Sequence, residues 1–225
     1  VDAVLAGGAD ESTPLVASSF QLLYALAEEE SPTPELLSRP FDAGRAGLNL
    51  GEGAAFVVLE TEEAARKRGA DILARFTGFG NACDAFHQTA SSETGEGAWR
   101  AMCQALDRAG LAPSEIDYIN AHGTGTPNND ASESAALRRL FGEAMPPVSS
   151  TKSLTGHTTS ASGAIEAVFC LLALRYDFVP AQYAFTTPDP ACIVPTRGGE
   201  KALRNVLCNS FGFGGNDSSI LLSHA

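Results

Sequence analysis

The stretch Ile116-Asp-Tyr-Ile-Asn-Ala-His-Gly-Thr-Gly-Thr-Pro127 runs an apolar strand, Ile116 to Ala121, straight into a small-residue loop headed by a histidine. A helix over about Ala131 to Phe141 is predicted next, with Asn128-Asn-Asp130 suited to its N-cap because short polar side chains accept from free first-turn N–H groups. Strand, glycine-rich loop and helix form the unit of α/β folds, and loops at strand ends are where such folds place active sites.

The pattern repeats on both sides. Downstream, Val148-Ser-Ser150 reads as a short strand before Lys152-Ser-Leu-Thr-Gly-His157, and Ala161 to Tyr176 reads as a helix apolar almost all round, hence buried. Two β segments, Asn205 to Cys208 and Ser218 to Leu222, flank Phe211-Gly-Phe-Gly-Gly215. Upstream come a helix from Glu96 to Ala109 closed by Gly110, and a strand from Ile72 to Thr77. Thr61 to Arg68 is a short helix with acids first and bases last, matching its dipole, and Gly69 stops it. Before it lie a β run, Ala54 to Glu60, and a glycine-rich loop, Arg39 to Gly53. A helical stretch, Val16 to Glu30, is broken by Ser31-Pro-Thr-Pro34, and a β run from Val1 to Ala6 ends in Gly7-Gly8. The expectation is an α/β fold entered partway through a domain, with no short repeat and no low-complexity segment.

The composition, 44% apolar and 19% charged over 225 residues, is that of a globular protein with a sizeable core. A formal charge of −12 argues against nucleic acid, whose phosphates would be repelled. The longest apolar run, Ala167 to Leu174, is too short for a bilayer, and Val1 is followed by no basic signal-peptide region. The five cysteines, Cys83, Cys103, Cys170, Cys192 and Cys208, never sit as C-x-x-C. They suggest neither a metal site nor a disulfide framework, and fit free thiols in a reducing cytoplasm.

Two of the glycine-rich loops hold histidines. Either histidine alone is ordinarily a structural one; His122 and His157 together, each in a Gly/Thr/Ser loop at an element boundary, favour function. Thr124 and Thr126 offer hydroxyl donors beside His122. The helix after His157 presents its positive dipole end, which disfavours imidazolium. Glu166 on that apolar helix needs a partner, and Lys152 is the nearest candidate, for structure, function or both. Phe211-Gly-Phe-Gly-Gly215 could bring N–H groups to an oxyanion or form only a tight turn. Gly78-Phe-Gly-Asn-Ala-Cys83 lacks the third glycine of a dinucleotide fingerprint, and neither a phosphate loop nor a nucleophile elbow occurs. His87 and His224 read as bystanders.

These motifs, taken in order, resemble the β-ketoacyl-acyl carrier protein synthases. The resemblance rests on His122-Gly-Thr-Gly-Thr-Pro127 with Asp130 and Glu133, Lys152-Ser-Leu-Thr-Gly-His157 with Gly163 and Glu166, and Asn209-Ser-Phe-Gly-Phe-Gly-Gly215. Ala6-Gly-Gly-Ala-Asp10, Ser38-Arg-Pro-Phe-Asp42, Gly51-Glu-Gly53 and Arg68-Gly-Ala70 precede them in the family's order, so it covers essentially the whole chain.

The resemblance implies a thiolase-like αβαβα layered sandwich, with residues 1–60 as the end of its first half and 61–225 as the whole second half. It implies a cytoplasmic homodimeric acyltransferase with a Cys-His-His site, condensing malonyl and acyl thioesters with loss of CO₂ in fatty-acid or polyketide elongation. Its partner would be acyl carrier protein, whose phosphopantetheine carries the substrates, with no further cofactor or metal and no nucleic acid or membrane. His122 and His157 would stabilise the enolate, and Lys152 and Glu166 the site's electrostatics. The Phe213 N–H would join the oxyanion hole and its ring would gate the acyl pocket. Thr124 and Thr126 would touch phosphopantetheine, while Phe20, with Phe211, would bind substrate. The nucleophilic cysteine belongs upstream of the Gly-Gly strand, so none of the five cysteines occupies its context, and the missing N-terminal part or a separate chain would supply it. Asn216-Asp217 stands where Thr-Asn is common, and Ser160 and Ser162 replace small residues after His157. The alternatives are a non-catalytic chain-length-factor type partner subunit, against which both histidines and Lys152 argue, and an acyl-CoA thiolase, disfavoured because Cys208 precedes the loop.

Overall fold

A computed structural model describes residues 2–27 and 36–225. A mixed sheet of five strands, β3 (Arg75–Cys83), β9 (Asn216–Ser223), β8 (Asn205–Gly212), β4 (Tyr118–Asn120) and β5 (Val148–Ser149), forms its centre in that spatial order. β8, β4 and β5 are parallel, while β9 runs antiparallel to both its neighbours, β8 and β3. Side chains alternate across the sheet, as the strand period demands. Ile119, Leu207 and Leu221 face α3 (Glu96–Ala109) and α4 (Pro127–Phe141) in one core. Tyr118, Val206, Cys208 and Leu222 face α6 (Ser162–Tyr176) in the other.

On the far side of α6 lies a two-stranded antiparallel ladder, β1 (Ala3–Asp10) with β2 (Gly53–Glu60). Helices, sheet, helix and ladder thus stack as successive layers of the expected sandwich. α1 (Pro14–Leu22) and α2 (Glu62–Lys67) are capped by the Thr13 and Thr61 hydroxyls, and α5 (Lys152–Thr155) is a single turn. β6 (Phe178–Val179) and β7 (Gly199–Glu200) make a small hairpin-like pair.

Several boundaries differ from the sequence expectation, those at the glycine-bearing strands for contacts distant in sequence. Gly7 and Gly8 do not end β1 but sit inside it, where a Cβ on Gly7 would meet the Phe56 ring at 2.3 Å and one on Gly8 the Ser160 carbonyl at 2.5 Å. Gly78 and Gly80 lie in β3, which starts later and runs longer than Ile72 to Thr77; a Cβ at either would strike an α3 carbonyl, Ala105 or Ala101. α4 starts at Pro127 with Thr126 as its cap residue, so Asn128 to Asp130 form the first turn rather than the cap. α1 stops at Leu22, and the expected continuation through Glu28 to Glu30 and the break at 31–34 lie outside the described residues. α6 buries Glu166, Cys170, Ala173 and Leu174, while Leu172 and Tyr176 are exposed, so its apolar surface is covered on only part of its circumference.

Candidate active site

Because β8, β4 and β5 are parallel, their C-terminal ends share one edge: Asn120 pairs with both Ser149 and Cys208. The chain leaves that edge at His122, at Lys152 and at Phe211 to Phe213, which brings together three loops far apart in sequence. Gly123 permits the convergence. Its φ is +35°, and a Cβ there would lie 2.6 Å from Ser150 Cβ and 2.9 Å from the Phe41 ring.

The His122 loop hangs from two carboxylates one turn apart on α4. Glu133 accepts from the backbone N–H groups of His122 (2.9 Å) and Gly123 (2.8 Å) and from Asn209 Nδ2 (3.1 Å). Asp130 accepts from the N–H groups of Phe41 (2.7 Å), Thr124 (3.0 Å) and Gly125 (3.2 Å). Burial pushes the Glu133 pKa up to about 7 against the pull of those donors, and moves Asp130 upward too.

The two histidine rings meet edge to face, with centroids 5.3 Å apart and planes at 82°. Lys152 Nζ donates to the His122 carbonyl (2.6 Å) and to Glu166 Oε1, and approaches His122 Nδ1 at 3.3 Å. Since an ammonium can only donate, Nδ1 of His122 is the acceptor and its proton sits on Nε2. The Lys152–Glu166 pair is almost fully buried, so removing one partner would strand a charge at a cost of about 3–5 kcal/mol. His157 reaches the same protonation state by another route. Its Nδ1 accepts from the Thr159 N–H at 3.2 Å and lies 3.1 Å from Ser162 Oγ, again leaving the proton on Nε2. Burial, then the Lys152 charge, depresses both imidazoles, His122 well below the usual histidine range and His157 to about 3. Both rings are therefore neutral N–H donors at physiological pH.

A cavity of about 470 Å³ opens over these rings, lined by His122, His157, Thr124, Thr126, Phe211, Phe213 and Phe20, with Thr159 at its wall. Phe213, half exposed at the hairpin tip, faces Phe20 of α1 with ring centroids 6.1 Å apart. Lys152 and Glu166 stay out of the lining and act on it through His122. None of the five cysteines lines the cavity: Cys170, Cys192 and Cys208 are buried, and the exposed Cys83 thiol lies 3.6 Å from the Gly214 carbonyl.

A family model of the β-ketoacyl synthase C-terminal domain matches residues 73–186, and one of the N-terminal domain matches residues 1–65. The chain belongs to the β-ketoacyl synthase family. It is 44% identical to 3-oxoacyl-[acyl-carrier-protein] synthase 2 of Coxiella burnetii over 99% of its own length and 55% of that protein's. It therefore spans about half the length of such relatives. Among solved structures, a type II PKS acyl-carrier protein in complex with its ketosynthase bound to the hexaketide superposes with a TM-score of 0.96 at 34% identity, covering 100% of this chain and 57% of that one. The ishigamide ketosynthase/chain length factor gives 0.91 at 39%, covering 100% and 54%. These neighbours share the thiolase-like ketosynthase fold.

Every site residue singled out from the sequence lies at the cavity or, for Lys152 and Glu166, in the hydrogen-bonded chain behind His122. His87 and His224 are not among the residues lining the cavity. The sequence assigned no role to Asn209, which joins Glu133 to the sheet, or to Asp10 and Thr159 around His157. Asp130 and Glu133 stood in the motif that carries the resemblance, with Asp130 expected at the helix cap; the Asp10 contact, which spans 149 residues, left no local signal. Among the described residues, no helix is long and apolar enough to cross a membrane.

Proposed function

We propose that the protein containing this chain is a β-ketoacyl-acyl carrier protein synthase that performs decarboxylative condensation of a malonyl thioester with an acyl-enzyme. The observation that carries the reading is the pair of neutral Nε2–H imidazoles, 5.3 Å apart, at the base of one apolar-walled cavity. Loss of CO₂ from a malonyl thioester moves charge onto the thioester carbonyl oxygen. Two preorganised neutral donors stabilise that oxygen without themselves needing a proton. The enolate carbon then attacks the acyl thioester carbonyl, and the cysteine thiolate leaves.

Lys152 uses its donors on His122 and Glu166, so its part is to orient His122 and keep both rings neutral. Thr124 and Thr126, hydrogen-bonded to each other at 2.8 Å on the cavity wall, suit the amides of phosphopantetheine. Phe213 is the gate and, through its N–H, an oxyanion donor, while Phe20 and Phe211 wall the acyl chain. With no thiol in the lining, the nucleophile comes from the part of the synthase beyond these 225 residues. The end of the N-terminal family match at residue 65 supports reading residues 1–60 as the tail of a first half and 61–225 as the second. Acyl carrier protein is the delivering partner, and a second copy the dimer mate.

The test incubates the complete protein with acyl- and malonyl-carrier thioesters and follows the β-ketoacyl product by mass spectrometry. The expected result is product formation that falls about 10²–10³-fold in His122→Ala or His157→Ala, the loss typical of one oxyanion donor. A complete protein that forms no product alone, but does so beside a cysteine-bearing synthase, would assign it to the chain-length-factor type.

A further inference from the structure

His157 is held by a turn whose backbone is unusual. Thr159 has φ +34°, a left-handed conformation that a β-branched residue rarely adopts without external support. In that conformation its N–H points at His157 Nδ1. The support comes from β1. One oxygen of Asp10, the last residue of that strand, accepts from the Thr159 hydroxyl, from the Ser160 N–H (2.8 Å) and from the Ser160 hydroxyl (2.9 Å). Gly8 presses on the same turn, its α-carbon facing the Ser160 carbonyl with no room for a side chain. Ser162, which accepts from the Thr158 hydroxyl at 3.4 Å, is left to direct its own proton to His157 Nδ1. The Ser160 N–H holds the Asp10 carboxyl below its usual range, so the clamp is ionised at neutral pH.

We propose that Asp10 is a positioning residue for His157: its carboxylate fastens Thr159 and Ser160 so that the Thr159 N–H stays on Nδ1, fixing the Nε2–H tautomer and the ring's aim. The proposal rests on the reading of His157 as an oxyanion donor, and it adds that β1, across the α6 layer from the sheet, sets that donor's state. Asp10 is not itself among the residues lining the cavity; it reaches His157 through the hydrogen-bonded turn, by way of Thr159 at the cavity wall, and its charge pulls the His157 pKa up against the larger effects of burial and Lys152.

The test compares the complete protein with Asp10→Ala and Asp10→Glu. The first readout is the imidazole ¹⁵N resonances of His157 without substrate; the second is kcat and KM for CO₂ release from a malonyl-carrier thioester. In the parent, His157 is expected as the Nε2–H tautomer. In Asp10→Ala the two tautomers mix and kcat falls about tenfold with KM within twofold, while the His122 resonances stay put. Asp10→Glu, which keeps the carboxylate on one more methylene, recovers part of both. An Asp10→Ala protein with parental His157 resonances and parental kcat would overturn the proposal. So would a loss equal in both variants and accompanied by shifts at His122, which would mark general loosening. If the parent releases no CO₂, the proposed function fails, and the resonances alone still decide the role of Asp10.

Discussion

The central sheet and the β1–β2 ladder are written in the same alphabet of Val, Leu, Ile, Phe and Ala, yet they end in opposite environments. Leu207 and Leu221 of the sheet are 0% exposed, sealed between α3 and α4. Leu5 of β1 is 68% exposed, and Val58 and Phe56 of β2 are 61% and 57% exposed. A strand that is apolar on both faces suits a sheet covered on both faces. Among the described residues, the ladder packs on α6 and the turn before it. The difference is one of available partners, and it accords with a chain that spans about half the length of its relatives. The exposed side is also the one that stabilises least, although β1 carries the residues that clamp the His157 turn.

Truncating one leucine in each region and measuring urea unfolding gives the largest expected contrast. Leu221→Ala should cost about 2–5 kcal/mol, as for any large core side chain cut back to Ala. Leu5→Ala in the 225-residue chain should stay within about 0.5 kcal/mol, as at surface positions, and should become costly in the complete protein. Equal costs in the short chain would mean that β1 is already covered.

Gly8→Ala probes the contact between the ladder and the turn that precedes α6. The new methyl meets the Ser160 carbonyl, which is backbone and yields little, so a loss of about 1–3 kcal/mol is expected from the same unfolding curves. A neutral substitution would show that β1 does not press on the His157 turn.

Asp217 gives the smallest effect and one with a definite sign. Burial first, then Asp84 and Glu133, raises its pKa to about 7. A carboxyl raised in the folded state holds its proton more tightly there than in the unfolded chain, so it subtracts stability as pH rises from about 4 to about 7. Asp217→Asn should therefore raise Tm by about 2–4 °C above pH 7, roughly 1 kcal/mol, and by little at pH 4.5. The same increment at both pH values would place the cause in packing instead of charge.

The sheet side of the fold was legible in sequence because its signals are local. The strand ending at Asn120, the small-residue loop after His122 and the helix that follows all sit within one short window. The Lys152–Glu166 pair was legible because a lone carboxylate on an apolar helix demands a cation nearby. What sequence hid depends on contacts between distant segments. Gly7 and Gly8 look like a strand stop until Phe56 and Ser160 are seen against them. The even apolarity of α6 looks like full burial, whereas Leu172 and Tyr176 on it are exposed. Thr159 gives no sequence sign of a left-handed backbone, since the support comes from Asp10.

The proposed role of two neutral imidazoles in loss of CO₂ is tested most directly by the rate of CO₂ release from a malonyl-carrier thioester by the complete protein between pH 5 and pH 8. With His157 near 3 and His122 also well below its usual value, both rings stay neutral across that range, so no histidine limb is expected in the profile. A rate that collapses on a protonation near pH 6.5, or no CO₂ release at any pH, would contradict it.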